Sequence, residues 1–175
     1  MLEQLLPNVF WPEIWEASLD TLLMLFGSMV IIVLLGLPLG VLLFLTSPNQ
    51  IFEREKLYNT LSLLVNILRS MPFVILLILM LPVTAFLVGD SLGVKGTIPP
   101  LIVGATPFFA RLVESALREV ERGIIEATQA MGATTWQIIT RALLPEALPG
   151  LLAATTVTAI TLVSYTAMSG LIGGG

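Results

Sequence analysis

Residues 21–45, TLLMLFGSMVIIVLLGLPLGVLLFL, run for 25 positions without a charge. A helix needs about 20 apolar residues to cross the hydrocarbon core of a bilayer, so this segment can hardly fold as anything but a membrane span. Only 11% of the chain is charged, against about 25% in ordinary soluble domains. A soluble surface cannot be built from so little charge. The expected class is all-α, a polytopic helical bundle in lipid.

The rest of the chain divides on the same criterion. Asp20 and Trp15 mark the outer end of the first span, and Thr46-Ser47-Pro48-Asn49 a turn at the other. Glu53, Arg54, Glu55 and Lys56 form a connector. Residues 57–89 would make one helix of about 50 Å, but Arg69 and Pro72 interrupt it. They read as a helix over 57–68, at the interface or in the bundle, followed by a span over 73–89. A third helix is expected from residue 97, continuing beyond Arg111 with Glu114 and Arg118 one turn apart and able to pair. Residues 147–175 are uncharged and form the fourth span.

The chain has no Cys and no His, which excludes disulfides, thiol nucleophiles, the usual zinc sites and the commonest general base. No acid lies inside the apolar runs except Asp20 and Glu146 at their edges, so an intramembrane enzyme has no pair of groups to work with. There is no basic cluster for nucleic acid and no Gly-rich phosphate loop. The first twenty residues carry four acids and no Lys or Arg, so they lack the basic region of a cleaved signal peptide and are expected to be retained. Arg54, Lys56, Arg111, Arg118, Arg122 and Arg141 fall on one side of the spans and Lys95 on the other. The positive-inside rule then places the amino terminus outside and residues 126–150 in the cytoplasm. Arg69 and Arg111, expensive in lipid, are expected to snorkel toward the cytoplasmic surface, with Glu114 the nearest partner for Arg111.

The cytoplasmic stretch, EATQAMGATTWQIITRALLPEALPG, is too polar to span. Ile124, Ala127 or Thr128, and Met131 repeat at helical spacing, and Gly132 can end that helix in the left-handed conformation. Thr134 with Gln137 forms a potential capping box for a second helix. Trp136, Ile139 and Leu143 make its apolar face, and Pro145 is expected to stop it. Such a pair either lies on the membrane surface or docks into a groove on a partner. Glu126 is either a partner contact or an acid favoured by the helix dipole. On the fourth span, Thr155, Thr158, Thr161 or Leu162, Tyr165 and Met168 form a weakly polar stripe. It reads as a passage lining or as close helix packing.

Glu126-Ala127-Thr128, three residues, Gly132, nine residues, Ala142, one residue and Leu144-Pro145 resemble the EAA loop of ABC importer permeases. Thr128 and Ala142 replace the Ala and Ile of that motif. NILRSMPFVILLI (66–78), FFARLVESALREV (108–120), AMGATTWQIITRALLPEALPGL (130–151) and SYTAMSG (164–170) resemble, within that family, the methionine-uptake permeases. The resemblance covers residues 20–170.

It implies a single permease domain over 1–175, with a coupling loop over 121–145, in a bacterial inner membrane. Glu126, Ala127, Gly132, Leu144 and Pro145 would couple to a cytoplasmic ABC ATPase, and Thr158, Tyr165 and Met168 would line the translocation path. The implied partners are that ATPase, a substrate-binding lipoprotein outside, a second copy of the chain, and lipid. This chain would hold no cofactor, ATP-Mg being bound by the partner. The expected cargo is methionine, L- or D-, with another amino acid or a small peptide as the alternative. Permeases of this kind carry a fifth span after the Gly-rich turn, so a further helix is expected beyond Gly175.

Overall fold

The computed structural model describes residues 10–170, and all regular structure within them is helical. The main elements are α1 (Trp11–Thr46), α2 (Glu55–Ser70), α3 (Phe73–Val88), α4 (Gly93–Arg118), α5 (Arg122–Ala130), α6 (Thr135–Ile138), α7 (Leu144–Glu146) and α8 (Leu148–Ser169). Among the described residues α1, α4 and α8 are each long and apolar enough to cross a membrane. Together α2 and α3 pass the same test, bent by 103° as a broken span or a re-entrant loop, so the described residues hold three crossings, or four if that pair is one span. The last residues of the fourth run, 171–175, lie outside the described residues.

Two boundaries differ from expectation. The first helix has 36 residues, about 54 Å, and begins at Trp11, so Trp15 and Asp20 lie within it. Helix α4 begins at Gly93, not at residue 97. Gly93 itself takes φ +69°, which lets the chain turn into the helix earlier than its Pro99-Pro100 pair suggests.

The bundle is organised around α1 and α4. A Cβ on Gly36 would fall 2.7 Å from Phe109 Cδ1, and one on Gly40 2.6 Å from the Ala110 carbonyl oxygen. These two glycines, four apart, let the helices approach closely, which is how helices gain contact in lipid, where the hydrophobic effect does not drive them together. Met24, Ile32, Phe44, Leu101, Phe109 and Leu117 form the core between them. Gly150 on α8 would meet the Ala116 Cβ at 2.8 Å, so α8 also packs closely against α4.

An ionic network joins α2 to α4. Arg111 donates to Glu114 Oε2 at 2.6 Å, and Arg118 to Glu114 Oε1 at 2.7 Å. From α2, Tyr58 donates to the same Oε1 at 3.2 Å. Arg111 also donates to Ser62, to both its carbonyl (3.1 Å) and its hydroxyl, and to Asn66 Oδ1 at 3.2 Å. The expected Glu114–Arg118 pair is present, but Arg111 does not snorkel. A buried carboxylate and two α2 residues, Ser62 and Asn66, pair with its terminal nitrogens inside the protein, while its Nε has no partner.

Candidate functional site

Residues 121–145 project from the end of α4 as two short helices around Gly132. The bend closes in full detail. Gly132 has φ +79° and donates to the Gln129 carbonyl at 2.9 Å, while Ala133 donates to Thr128 at 3.2 Å. Thr134 then caps α6, with the reciprocal bonds of a capping box to Gln137. Arg122 reaches the Asn49 carbonyl at 2.9 Å, tying the start of α5 to the turn after α1.

The loop has two unlike faces. Ile125, Ile138 and Leu143 are buried and belong to the same core cluster as α1, α4 and α8. The opposite ridge carries Glu126, Ala127, Ala130, Met131 and Gly132, all exposed. Met131 is 77% exposed, so it is not part of the inward face; Ile125 is, with Ile124 and Thr128 half-buried beside it. Trp136 departs from expectation in the same way: at 73% exposure it stands outside. It borders an apolar groove of about 310 Å³, walled by Leu37, Val41 and Leu45 of α1 and by Ile139 and Leu144. A second, open notch of about 420 Å³ sits at the bend, between Thr128, Met131, Gly132, Gln137 and Arg141.

Pro145 does not end the helix. The chain continues through a π-helical turn over Ile139–Leu143, with Leu144 N–H bonded to the Ile139 carbonyl five residues back, into α7 and α8. Proline lacks the N–H for an ordinary bond and its ring crowds the carbonyl four residues earlier. The wider π turn just before it accommodates both. Helical structure therefore runs from α6 into α7, and one turn residue, Ala147, separates it from α8.

Glu126 lies in the second turn of α5, which has no acid in its first turn, so the dipole reading of this residue has little support. It faces Arg122 at 3.8 Å, with both side chains about two-thirds exposed, a pair worth little by itself. Glu126, Ala127 and Gly132 therefore share one open ridge. Leu144 and exposed Pro145 sit apart from it, at the root of α8.

The stripe on α8 divides three ways. Thr158 is fully buried, its hydroxyl donating to the Ala154 carbonyl at 2.8 Å. Tyr165 is half-buried and stacks on Phe73 of α3, with centroids 4.3 Å apart and planes within 3°. Met168 is 41% exposed. Tyr165 also lines a cavity of about 260 Å³ at the α2–α3 bend, together with Arg69, Met71, Phe73, Gly104 and Phe108. Arg69 lies over the Phe108 ring at 5.8 Å, so its anchor is aromatic. The sequence leads one to expect Arg69 to snorkel toward the cytoplasmic surface; in the structure it is exposed and lies over the Phe108 ring.

Residues 36–175 match the family described as binding-protein-dependent transport system inner membrane component. The chain belongs to that family. It is 55% identical over 157 residues to the D-methionine transport system permease protein MetI of Yersinia pestis, covering 90% of this chain and 70% of the relative. It is 47% identical over 175 residues to the methionine import system permease protein MetP of Bacillus subtilis, covering 100% of this chain and 79% of that one. Among solved structures, the inward-facing MetNI methionine ABC transporter superposes with a TM-score of 0.92 at 52% identity, covering 95% of this chain and 79% of that chain. An amino acid ABC transporter solved with histidines matches at TM-score 0.64 and 16% identity, a likeness of fold alone. The chain is thus a membrane transport permease component, similar to proteins named for methionine import in an ABC transporter.

Proposed function

We propose that the chain is the membrane-spanning subunit of an ABC importer for methionine, in its L- and D-forms, with its amino terminus outside and residues 121–145 in the cytoplasm. The observation that carries the reading is the two-faced loop. Its inner face is part of the bundle core and its outer ridge is open, as a handle for a partner must be. Glu126, Ala127 and Gly132 form the docking ridge for a cytoplasmic ATPase. Leu144 and Pro145 join that handle to α8.

The mechanism follows as alternating access. Two copies of the chain enclose a path between them, since one bundle of four crossings is too thin to surround it and an isologous pair supplies the second wall. ATP-Mg, bound by the partner, draws two ATPase subunits together. Each pulls one loop, and the bundle follows as a rigid body because Ile125, Ile138 and Leu143 are packed into its core. The path opens to a substrate-loaded binding protein outside, and hydrolysis resets it. Catalysis of hydrolysis belongs to the partner. Tyr165 and Met168 border the path; Thr158, its hydroxyl spent within α8, shapes the wall behind them.

Reconstitution tests the reading. The chain, its ATPase and its binding protein in liposomes should take up methionine only with ATP inside. Uptake of another amino acid or a small peptide in place of methionine would overturn the assignment of cargo. ATP-independent uptake would overturn the mechanism.

A further inference from the structure

An exposed apolar ridge on α1 leads into the groove beside Trp136. Phe26, Val30, Leu34, Pro38 and Leu42 follow one another at four-residue intervals, and all are exposed. Side chains at this spacing form one of the ridges that wind along a helix, here rising about 24 Å. That is most of a hydrocarbon core about 30 Å thick. The ridge lies within the uncharged run 21–45 of a helix able to span. In a membrane component, such a surface meets acyl chains.

The far end of the ridge is not an open surface. Pro38 and Leu42 line the apolar groove of about 310 Å³, which Trp136, Ile139, Thr140 and Leu144 line from the loop. No charged side chain lines it. The lipid-facing surface of α1 therefore continues into the groove without a polar break. The loop turns a different face to the Gly132 bend. Gln137 and Arg141, four apart, line the notch there, whereas Trp136 and Thr140, also four apart, line the groove. The two linings share no residue, so the groove is separate from the notch beside the ridge assigned to the ATPase.

Trp136 suits this place. Its side chain is 73% exposed, a large apolar body with one polar N–H. Tryptophan concentrates where a bilayer meets water, because its ring prefers the apolar side and its N–H the wet one. Leu42 lies one turn before the end of α1 at Thr46, and the uncharged run ends at Leu45. The groove thus sits at the boundary where such a belt forms.

We propose that an acyl chain of a bilayer phospholipid occupies this groove, between the last turns of α1 and the second half of the loop, with Trp136 at the lipid–water boundary. The proposal needs only that the chain is a membrane component; it depends on neither the cargo nor the ATPase. It carries a selectivity rule, since a groove lined by no charge takes an acyl chain and is indifferent to the head group. The loop is then braced on two sides, by the bundle core through Ile125, Ile138 and Leu143 and by lipid through Trp136.

Fluorescence tests this directly. The chain has three tryptophans, Trp11, Trp15 and Trp136, and bromine on an acyl chain quenches an indole that it touches. In liposomes, the full chain with Trp11→Phe and Trp15→Phe reports on Trp136 alone. Phosphatidylcholine brominated in the upper part of its chains should cut the emission about twofold or more, as for an interfacial ring, while aqueous iodide quenches weakly. Phosphatidylglycerol with the same bromines should quench equally; strong dependence on the head group overturns the selectivity rule. Thr140→Phe, filling the groove from the loop side, should lower bromine quenching about twofold, since a packed ring leaves the chain no room. Unchanged quenching in that variant leaves Trp136 merely lying on the membrane and overturns the proposal. If Thr140→Phe does not insert, Leu42→Phe fills the groove from α1 and decides the same point. Quenching by iodide alone places the groove in water, and quenching by neither places protein over it, such as a second copy; either overturns the proposal. With the ATPase bound, and the signal of the matching Trp136→Phe complex subtracted, bromine quenching should persist. Its loss there assigns the groove to the ATPase instead. If the doubly substituted chain does not insert, the difference between the unmodified chain and Trp136→Phe gives the same reading.

Discussion

The helical course is broken at Gly132 and at Pro72, and the two breaks are built in opposite ways. At Gly132 the orphan groups are closed off: the bend bonds back to Gln129 and Thr128, and the next helix opens with a complete capping box. At Pro72 the next helix has no side-chain cap, a guanidinium beside it lacks a carboxylate, and a cavity stands open. A closed break is stiff and can carry force. An open break leaves the first N–H groups of its helix without a side-chain cap. The same device, interrupting a helix, thus yields a closed, internally bonded bend in one place and an open cavity in the other.

The largest expected effect is on what pins the open break to the bundle. Glu114→Ala removes the buried carboxylate that holds Arg111 and Arg118 and accepts from Tyr58. It should destabilise the protein by about 3 kcal/mol, the usual cost of leaving buried charge unpaired, read as a lower unfolding temperature in detergent. Gly40→Leu comes next, because its side chain would collide with the Ala110 carbonyl and Val113. A loss of about 2 kcal/mol, typical of overpacking, should weaken the α1–α4 spine to which the closed break is joined. Thr134→Ala is milder: loss of the cap should cost about 1 kcal/mol and show as faster amide exchange over α6 alone. If Thr134→Ala destabilised the whole bundle as much as Glu114→Ala, the contrast between the two breaks would fail.

Much of this was legible from residue patterns, for identifiable reasons. Uncharged runs mark spans because lipid tolerates little else, and the Gly132 bend with its Thr134–Gln137 box is a local signal that needs no tertiary knowledge. The outward turn of Met131 and Trp136 was hidden, since periodicity defines an apolar face but not which side of it the core occupies. Pro145 misled for a similar reason. Its rule forbids an ordinary helical bond, and the π turn over Ile139–Leu143 meets the rule without ending the helix. Arg111 was legible as costly but not as paired, because Ser62 and Asn66 lie about fifty residues away in sequence and meet it only through packing.

The claim that the outer ridge of the loop is the ATPase handle can be tested at Gly132. A Cβ there meets nothing within 4 Å, and Asp tolerates the left-handed conformation better than most residues, so Gly132→Asp adds no clash and only the local strain of a side chain at φ +79°. ATP-driven methionine uptake by the reconstituted importer should fall at least tenfold in Gly132→Asp, with membrane insertion and unfolding temperature near those of the unmodified protein. Full uptake by that variant would contradict the claim.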